Sequence, residues 1–206
     1  VSGVISNTGN LVVNGSGSWL LSGANTYAGT TTVQAGTLTA GGANAFGNSK
    51  GLVVNGGTLD FNNFDITAPS LAGTGGTLQL GGGSLTLNAA SGTTGYGGTI
   101  AGSGGLTKLG AGTQTLSGAN TYSGATSIGG GTLALDFTVA GAPASQIVSA
   151  SSSLNLAGGT LSIKGKAGAN SQSFNGLNVT AGSNRISATA GTGGTLTLGL
   201  GAINRS

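Results

Sequence analysis

Leu21-Ser-Gly-Ala-Asn-Thr-Tyr27 returns without change as Leu116-Ser-Gly-Ala-Asn-Thr-Tyr122. Extended outward with no gap, the match runs over residues 3–40 and 98–135 with about half of the positions identical, the mark of an internal duplication. A finer theme lies beneath it, in which glycine, threonine and leucine open an apolar-polar alternation. It recurs at Gly36-Thr-Leu38, Gly57-Thr-Leu59, Gly76-Thr-Leu78, Gly131-Thr-Leu133, Gly159-Thr-Leu161 and Gly194-Thr-Leu196. Neighbouring leucines such as Leu38, Leu59 and Leu78 fall about 19–21 residues apart, a spacing typical of solenoids.

Alternation over three to five residues marks very short strands with one buried face, and the flanking Gly, Asn and Ser clusters supply turns. No stretch keeps a helical period. The chain is therefore expected to be all-β, a parallel β-helix (β-solenoid) with about 19–21 residues per coil and three strands in each coil. About ten coils at ~4.8 Å each would make a rod of roughly 45–50 Å. A β-sandwich or barrel is the alternative, with Asn14-Gly15 and Asn55-Gly56 as hairpin turns, but strands there return every ~8–12 residues. Residues 1–206 are read as one continuous solenoid segment.

Composition narrows the field. Glycine supplies 45 of 206 residues but proline only 2, so a collagen helix is excluded. Wholesale disorder is disfavoured, because charged residues are 4% of the chain while Val, Ile, Leu and Thr recur throughout. The net charge of +3 arises from six scattered cations, Lys50, Lys108, Lys164, Lys166, Arg185 and Arg205. Such scattering offers no run of phosphate contacts, so no nucleic-acid partner is expected. The chain opens at Val1 with no signal-peptide pattern and no apolar run of ~18 residues, and is read as a processed or excised segment that does not itself insert in a membrane.

Catalytic chemistry finds little to work with. Histidine and cysteine are both absent, which removes Ser-His-Asp and Cys-His arrangements, disulfides and thiolate zinc sites. A Ser-Lys pair at Ser49-Lys50 sits in a polar turn with no supporting motif. The acids are Asp60, Asp65 and Asp136 alone, whereas β-helical polysaccharide-degrading enzymes need grouped carboxylates. In Asp60-Phe-Asn-Asn-Phe-Asp65 the acids read as solvated charges flanking the aromatic anchors Phe61 and Phe64. Gly81-Gly-Gly83 lacks the following Asp of a calcium-binding roll, and Gly129-Gly-Gly131 lacks the Lys-Ser/Thr of a phosphate loop. No catalytic, cofactor or metal residue is nominated, and no enzyme is expected.

Three groups remain as candidates for contact or support. Tyr27 and Tyr122 occupy equivalent places and either stack on sugar rings or, as favoured here, bury their rings and bond their hydroxyls at a corner rim. Trp19 faces Gln114 in the aligned copy and is a weak candidate for a private contact. Asn14, Asn55 and Asn155 are expected to hold left-handed turns or form amide ladders between coils.

The run from Leu106-Thr-Lys-Leu-Gly-Ala-Gly-Thr-Gln-Thr-Leu116 through Gly131-Thr-Leu-Ala-Leu135 resembles the passenger-associated β-strand repeat of bacterial autotransporters. Its counterpart matches from Leu21 to Leu38, with Val12-Val13-Asn14 departing from the pattern, and Phe174 to Arg205 is similar to the degenerate repeats of such passengers. The resemblance implies a right-handed parallel β-helix, displayed at the surface of, or released from, a Gram-negative-type bacterium. No translocator barrel is recognised in the chain. The expected function is a non-catalytic structural or adhesive rod with glycans or surface proteins as partners. A self-assembling filament or sheath subunit, associating end to end or laterally, and a carbohydrate-binding module are the alternatives.

Overall fold

The computed structural model describes residues 2–205. Described strands are two to five residues long and all of their pairings are parallel. Turn one carries β1 (Leu11–Val13) and β2 (Ser18–Leu21), and turn two β3 (Thr31–Val33) and β4 (Thr37–Ala40). Turn three holds β5 (Leu52–Val54), β6 (Thr58–Asp60) and β7 (Ile66–Ala68), and turn four β8 (Leu71–Ala72), β9 (Thr77–Gln79) and β10 (Leu85–Asn88). Turn five holds β11 (Thr93–Tyr96), β12 (Thr99–Ala101) and β13 (Leu106–Leu109). Turn six holds β14 (Thr113–Leu116) and β15 (Thr126–Ile128), and turn seven β16 (Thr132–Asp136) and β17 (Leu154–Leu156). The last two turns carry β18 (Thr160–Lys164), β19 (Ala169–Ser173) and β20 (Leu177–Val179), then β21 (Arg185–Thr189), β22 (Thr195–Gly199) and β23 (Ile203–Arg205).

Three walls result. The first runs β1-β3-β5-β8 and, across a single bridge between Gly73 and Tyr96, continues as β11-β14-β16-β18-β21. The second runs β2-β4-β6-β9-β12 and passes through backbone bonds at Thr121, Ile147 and Ser171 to β19-β22. The third runs β7-β10-β13-β15-β17-β20-β23. This is the parallel solenoid that the spacing predicts, with about nine turns rather than ten. The shortfall has a local cause. Register partners on successive coils lie 19 to 23 residues apart before β15, but 23 to 28 apart from β15 onward. The later coils spend residues on longer corner loops, so the same chain makes fewer turns and a rod of about 40 Å.

Inward side chains stack into columns. On the second wall Trp19, Leu38, Leu59, Leu78 and Ile100 lie in register, and all but Trp19 are fully buried. Outward positions form threonine columns: Ser18, Thr37, Thr58, Thr77 and Thr99 on the second wall, and Thr93, Thr113, Thr132 and Thr160 on the first. The recurrent Gly-Thr-Leu theme now has a reason. Gly36, Gly57 and Gly76 take φ of 70°, 63° and 69° at one corner, and a Cβ on Gly57 would meet the Gly36 carbonyl oxygen at 2.3 Å. Only glycine makes that corner while the coils stay within hydrogen-bonding distance.

The duplicated copies do not sit on the same walls. β1 belongs to the first wall, whereas its sequence counterpart β13 belongs to the third; β2 lies in the second wall and its counterpart β14 in the first. The offset between copies is not a whole number of turns of about 20 residues, so the second copy is rotated by one wall. The repeat is therefore a pattern that any of the three walls accepts.

Candidate functional site

The first wall breaks between β8 and β11. There the ladder shrinks to the Gly73 bridge, in which the Gly73 N–H donates to the Gly95 carbonyl at 3.1 Å and the Gly97 N–H donates to the Gly73 carbonyl at 2.9 Å. Leu71, two residues before the bridge, is left without a strand partner on that side. Gln114 takes the place of the missing peptide group. Its Oε1 accepts the Leu71 N–H at 3.3 Å, its Nε2 donates to the Leu71 carbonyl at 2.8 Å, and Thr94 Oγ1 donates to Oε1 at 2.9 Å. Gln114 is 1% exposed, so these bonds are made out of water, where unpaired amides are costly. Gln172 repeats the device on the second wall, accepting the Val148 N–H at 3.1 Å and donating to the Val148 carbonyl at 2.8 Å.

Outside this brace lies a groove of about 520 Å³. Gly73, Gly95 and Gly97 line it together with Thr74, Thr115 and Ser117, and Val139, Ala140 and Gly141 overhang it from the long connection between β16 and β17. The overhang is tied down at both ends. Asp136 Oδ1 accepts the Thr138 N–H and hydroxyl at 2.8 and 2.6 Å, the Ala142 N–H closes a turn onto the Val139 carbonyl, and Lys166 Nζ donates to the Ala142 carbonyl at 2.8 Å. Phe137, Ile147 and Val148 bury completely beneath it. No charged side chain lines the groove.

The tyrosines go further inward than a rim. Tyr27 and Tyr122 are buried, and their hydroxyls meet Thr31 Oγ1 at 2.6 Å and Thr126 Oγ1 at 2.8 Å. Each threonine in turn meets a serine, Ser49 at 3.2 Å or Ser152 at 2.8 Å, which donates to a backbone carbonyl. Burial pushes both phenol pKa values up from 10, only partly offset by the threonine contacts. Neither ring is available to stack on a sugar. The relay was missed in the sequence, although its signal was there: a threonine four residues after the tyrosine in both copies. Asn25 and Asn120 of the same motif were missed as well. Asn25 accepts the Ile5 N–H at 2.8 Å and donates to the Ala45 carbonyl, and Asn120 bonds Ile100 and Ile147 likewise, so each amide ties three successive coils together.

Trp19 shares the register column of Leu38 but stays 37% exposed, and with Ile5, Val13 and Leu38 it lines a small hollow at the first described turn, so part of its ring is left open to contact. Of the nominated asparagines, Asn155 does form an amide ladder, accepting from Asn178 Nδ2 at 2.8 Å, with Asn204 donating to Asn178 above it at 3.2 Å. Asn55 accepts the Thr74 N–H at 3.3 Å. The left-handed turn, however, is made by Asn62 and Asn63, at φ of 49° and 68°, not by Asn14, Asn55 or Asn155.

The acids brace turns and tie one coil to the next. Asp60 Oδ1 accepts the Asn62 N–H and Asp65 Oδ1 the Ser84 N–H, both at 2.8 Å, while Phe61 is buried and tilts against Phe46 at 5.9 Å. Asp136 also stands 3.8 Å from the exposed Lys164 ammonium, a pair worth little in water. Lys108 occupies a core register position between Leu87 and Ile128, its stem buried and its ammonium donating to the carbonyls of Leu109, Gly110 and Gly130 at the corner. Desolvation lowers its pKa.

The family model of the passenger-associated-transport-repeat matches residues 11–40 and 106–135, one stretch in each duplicated copy. The chain is 54% identical over 201 residues, 97% of its length, to the adhesin BmaC autotransporter of Brucella suis biovar 1 (strain 1330). It spans 6% of that protein's length. No solved structure matches it. With these repeats stacked in a parallel solenoid, the chain belongs to the autotransporter passengers with passenger-associated repeats, cell-surface or extracellular elements of Gram-negative bacteria.

Proposed function

We propose that this chain is a rigid adhesive segment of a surface-displayed passenger, which makes contact through its side walls and catalyses no reaction. The observation that carries the reading is the solenoid itself, whose walls present columns of Thr and Ser with few charges, in a chain 54% identical to a segment of an autotransporter adhesin. An uncharged hydroxyl surface favours many weak, short-range contacts over electrostatic capture. Weak contacts suit a repeated rod, because linked sites raise avidity without requiring any single tight one. A non-catalytic role is supported by the engagement of all three carboxylates with backbone N–H groups, Asp60 and Asp136 within turns and Asp65 across coils. The test is attachment of beads coated with the purified chain to host-type epithelial cells and matrix. Attachment above that of an unrelated β-solenoid of equal length is expected, and equal attachment by both would overturn the reading.

A further inference from the structure

We infer that the groove beside the break in the first wall is a subsite for a neutral saccharide unit, an inference that rests on the adhesive reading and names its ligand class. Ser117 is 7% exposed, lines the groove, and its hydroxyl has no partner among the described residues. The Thr74 and Thr115 hydroxyls on the same groove likewise have no partner among the described residues. Three unpaired hydroxyls can each donate and accept, which matches the hydroxyls of a pyranose. Val139 and Ala140 offer an apolar face for the ring's C–H groups. With no charged lining residue, nothing in the groove would compensate an acidic sugar or a phosphate.

Gly95 adds an independent observation. It faces outward on β11, opposite Thr115, where the chain elsewhere in the column carries threonine, alanine or serine. A Cβ there would meet only the Thr115 Cβ, at 3.9 Å, and its φ is not among the positive values. Neither packing nor backbone geometry demands a glycine, and a strand interior is weakened by one. What the missing side chain does is leave the groove floor open. A peptide strand is a poorer occupant, because Leu71, Gly73 and Gly97 already spend their backbone groups on Gln114 and on the bridge. Tyr96 supplies no stacking face, since its ring is buried and its hydroxyl donates inward to the Gly76 carbonyl at 3.1 Å. Affinity for one unit is therefore on the order of millimolar.

The test is a titration of the 15N-labelled chain with lactose, maltotriose and N,N′-diacetylchitobiose, with 3′-sialyllactose as the charged arm. Shifts at the amides of Gly95, Gly97, Ser117 and Ala140 are expected with at least one neutral sugar. They should be lost in Gly95→Val, which fills the floor with a strand-favouring side chain, and weakened at least threefold in Ser117→Ala if the valine variant fails to fold. Absence of groove shifts with every neutral sugar overturns the proposal, as does their persistence in Gly95→Val or a stronger response to the sialylated arm. Bead attachment separates the two readings. Attachment without groove shifts sinks the saccharide subsite and leaves the adhesive segment, whereas attachment no better than the control solenoid sinks the adhesive reading itself.

Discussion

Replacing Gln114 by leucine tests the account of the wall break. Gln114 stands in register with Leu133 on the next coil, and Leu161 follows in the same column, both buried core leucines. Judged by column alone, Gln114→Leu should stabilise the rod. The hydrogen bonds reverse that expectation. Leucine cannot hold the Leu71 N–H and carbonyl, and each buried group left unpaired costs about 1–3 kcal/mol. The added apolar burial returns about 1–2 kcal/mol. The net effect is a loss of about 2–3 kcal/mol, read as a lower urea midpoint at unchanged slope. Gln79→Leu, on the outward side of β9, serves as control and should stay within about 0.5 kcal/mol of the parent. A Gln114→Leu chain as stable as the parent, or more so, would refute the surrogate-peptide role.

Other outcomes follow from the same geometry. Tyr122→Phe removes a buried hydroxyl from Thr126 and should cost about 1 kcal/mol in urea melts; no loss would mean that the relay is incidental. Because burial raises the phenol pKa values of Tyr27 and Tyr122, their contribution is complete below the unfolded value of 10 and is lost as pH climbs through the higher folded values. Absorbance at alkaline pH should therefore show these phenols ionising only as the fold is lost, and early titration of all three tyrosines would contradict their burial. Gly57→Ala combines a positive φ with a contact onto the Gly36 carbonyl, and should cost about 3 kcal/mol or more or abolish folding. A mild effect would show that the corner can relax.

The parts of this molecule that were legible in the sequence are those repeated within it. The Gly-Thr-Leu theme carried the coil spacing because Gly36, Gly57 and Gly76 meet the same steric demand at one corner. The rotation between copies was hidden, since every wall accepts the same alternation and only register shows which strands stack. Coil lengthening beyond β15 was hidden for a related reason: the insertion around Val139 to Ser153 breaks the period instead of displaying one. The brace at Gln114 arises where the two copies differ, with Trp19 in one and glutamine in the other. A lone polar residue in an alternating strand looks like noise until its partner 43 residues away is known. The groove was illegible for the same reason, being lined by glycine, threonine and serine, which the chain uses everywhere.

The most direct test of the stacked architecture uses the absence of native cysteine. Thr58 and Thr77 are outward register partners on adjacent coils, as are Thr113 and Thr132. Coils about 4.8 Å apart place such pairs within disulfide reach. Thr58→Cys with Thr77→Cys, and Thr113→Cys with Thr132→Cys, should each oxidise to an intramolecular bond seen on non-reducing gels and by peptide mapping. Val53→Cys with Thr58→Cys, which a hairpin at Asn55-Gly56 would bring face to face, should not. The reverse pattern, with the hairpin pair joined and the coil pairs free, would contradict the solenoid and the groove built on it.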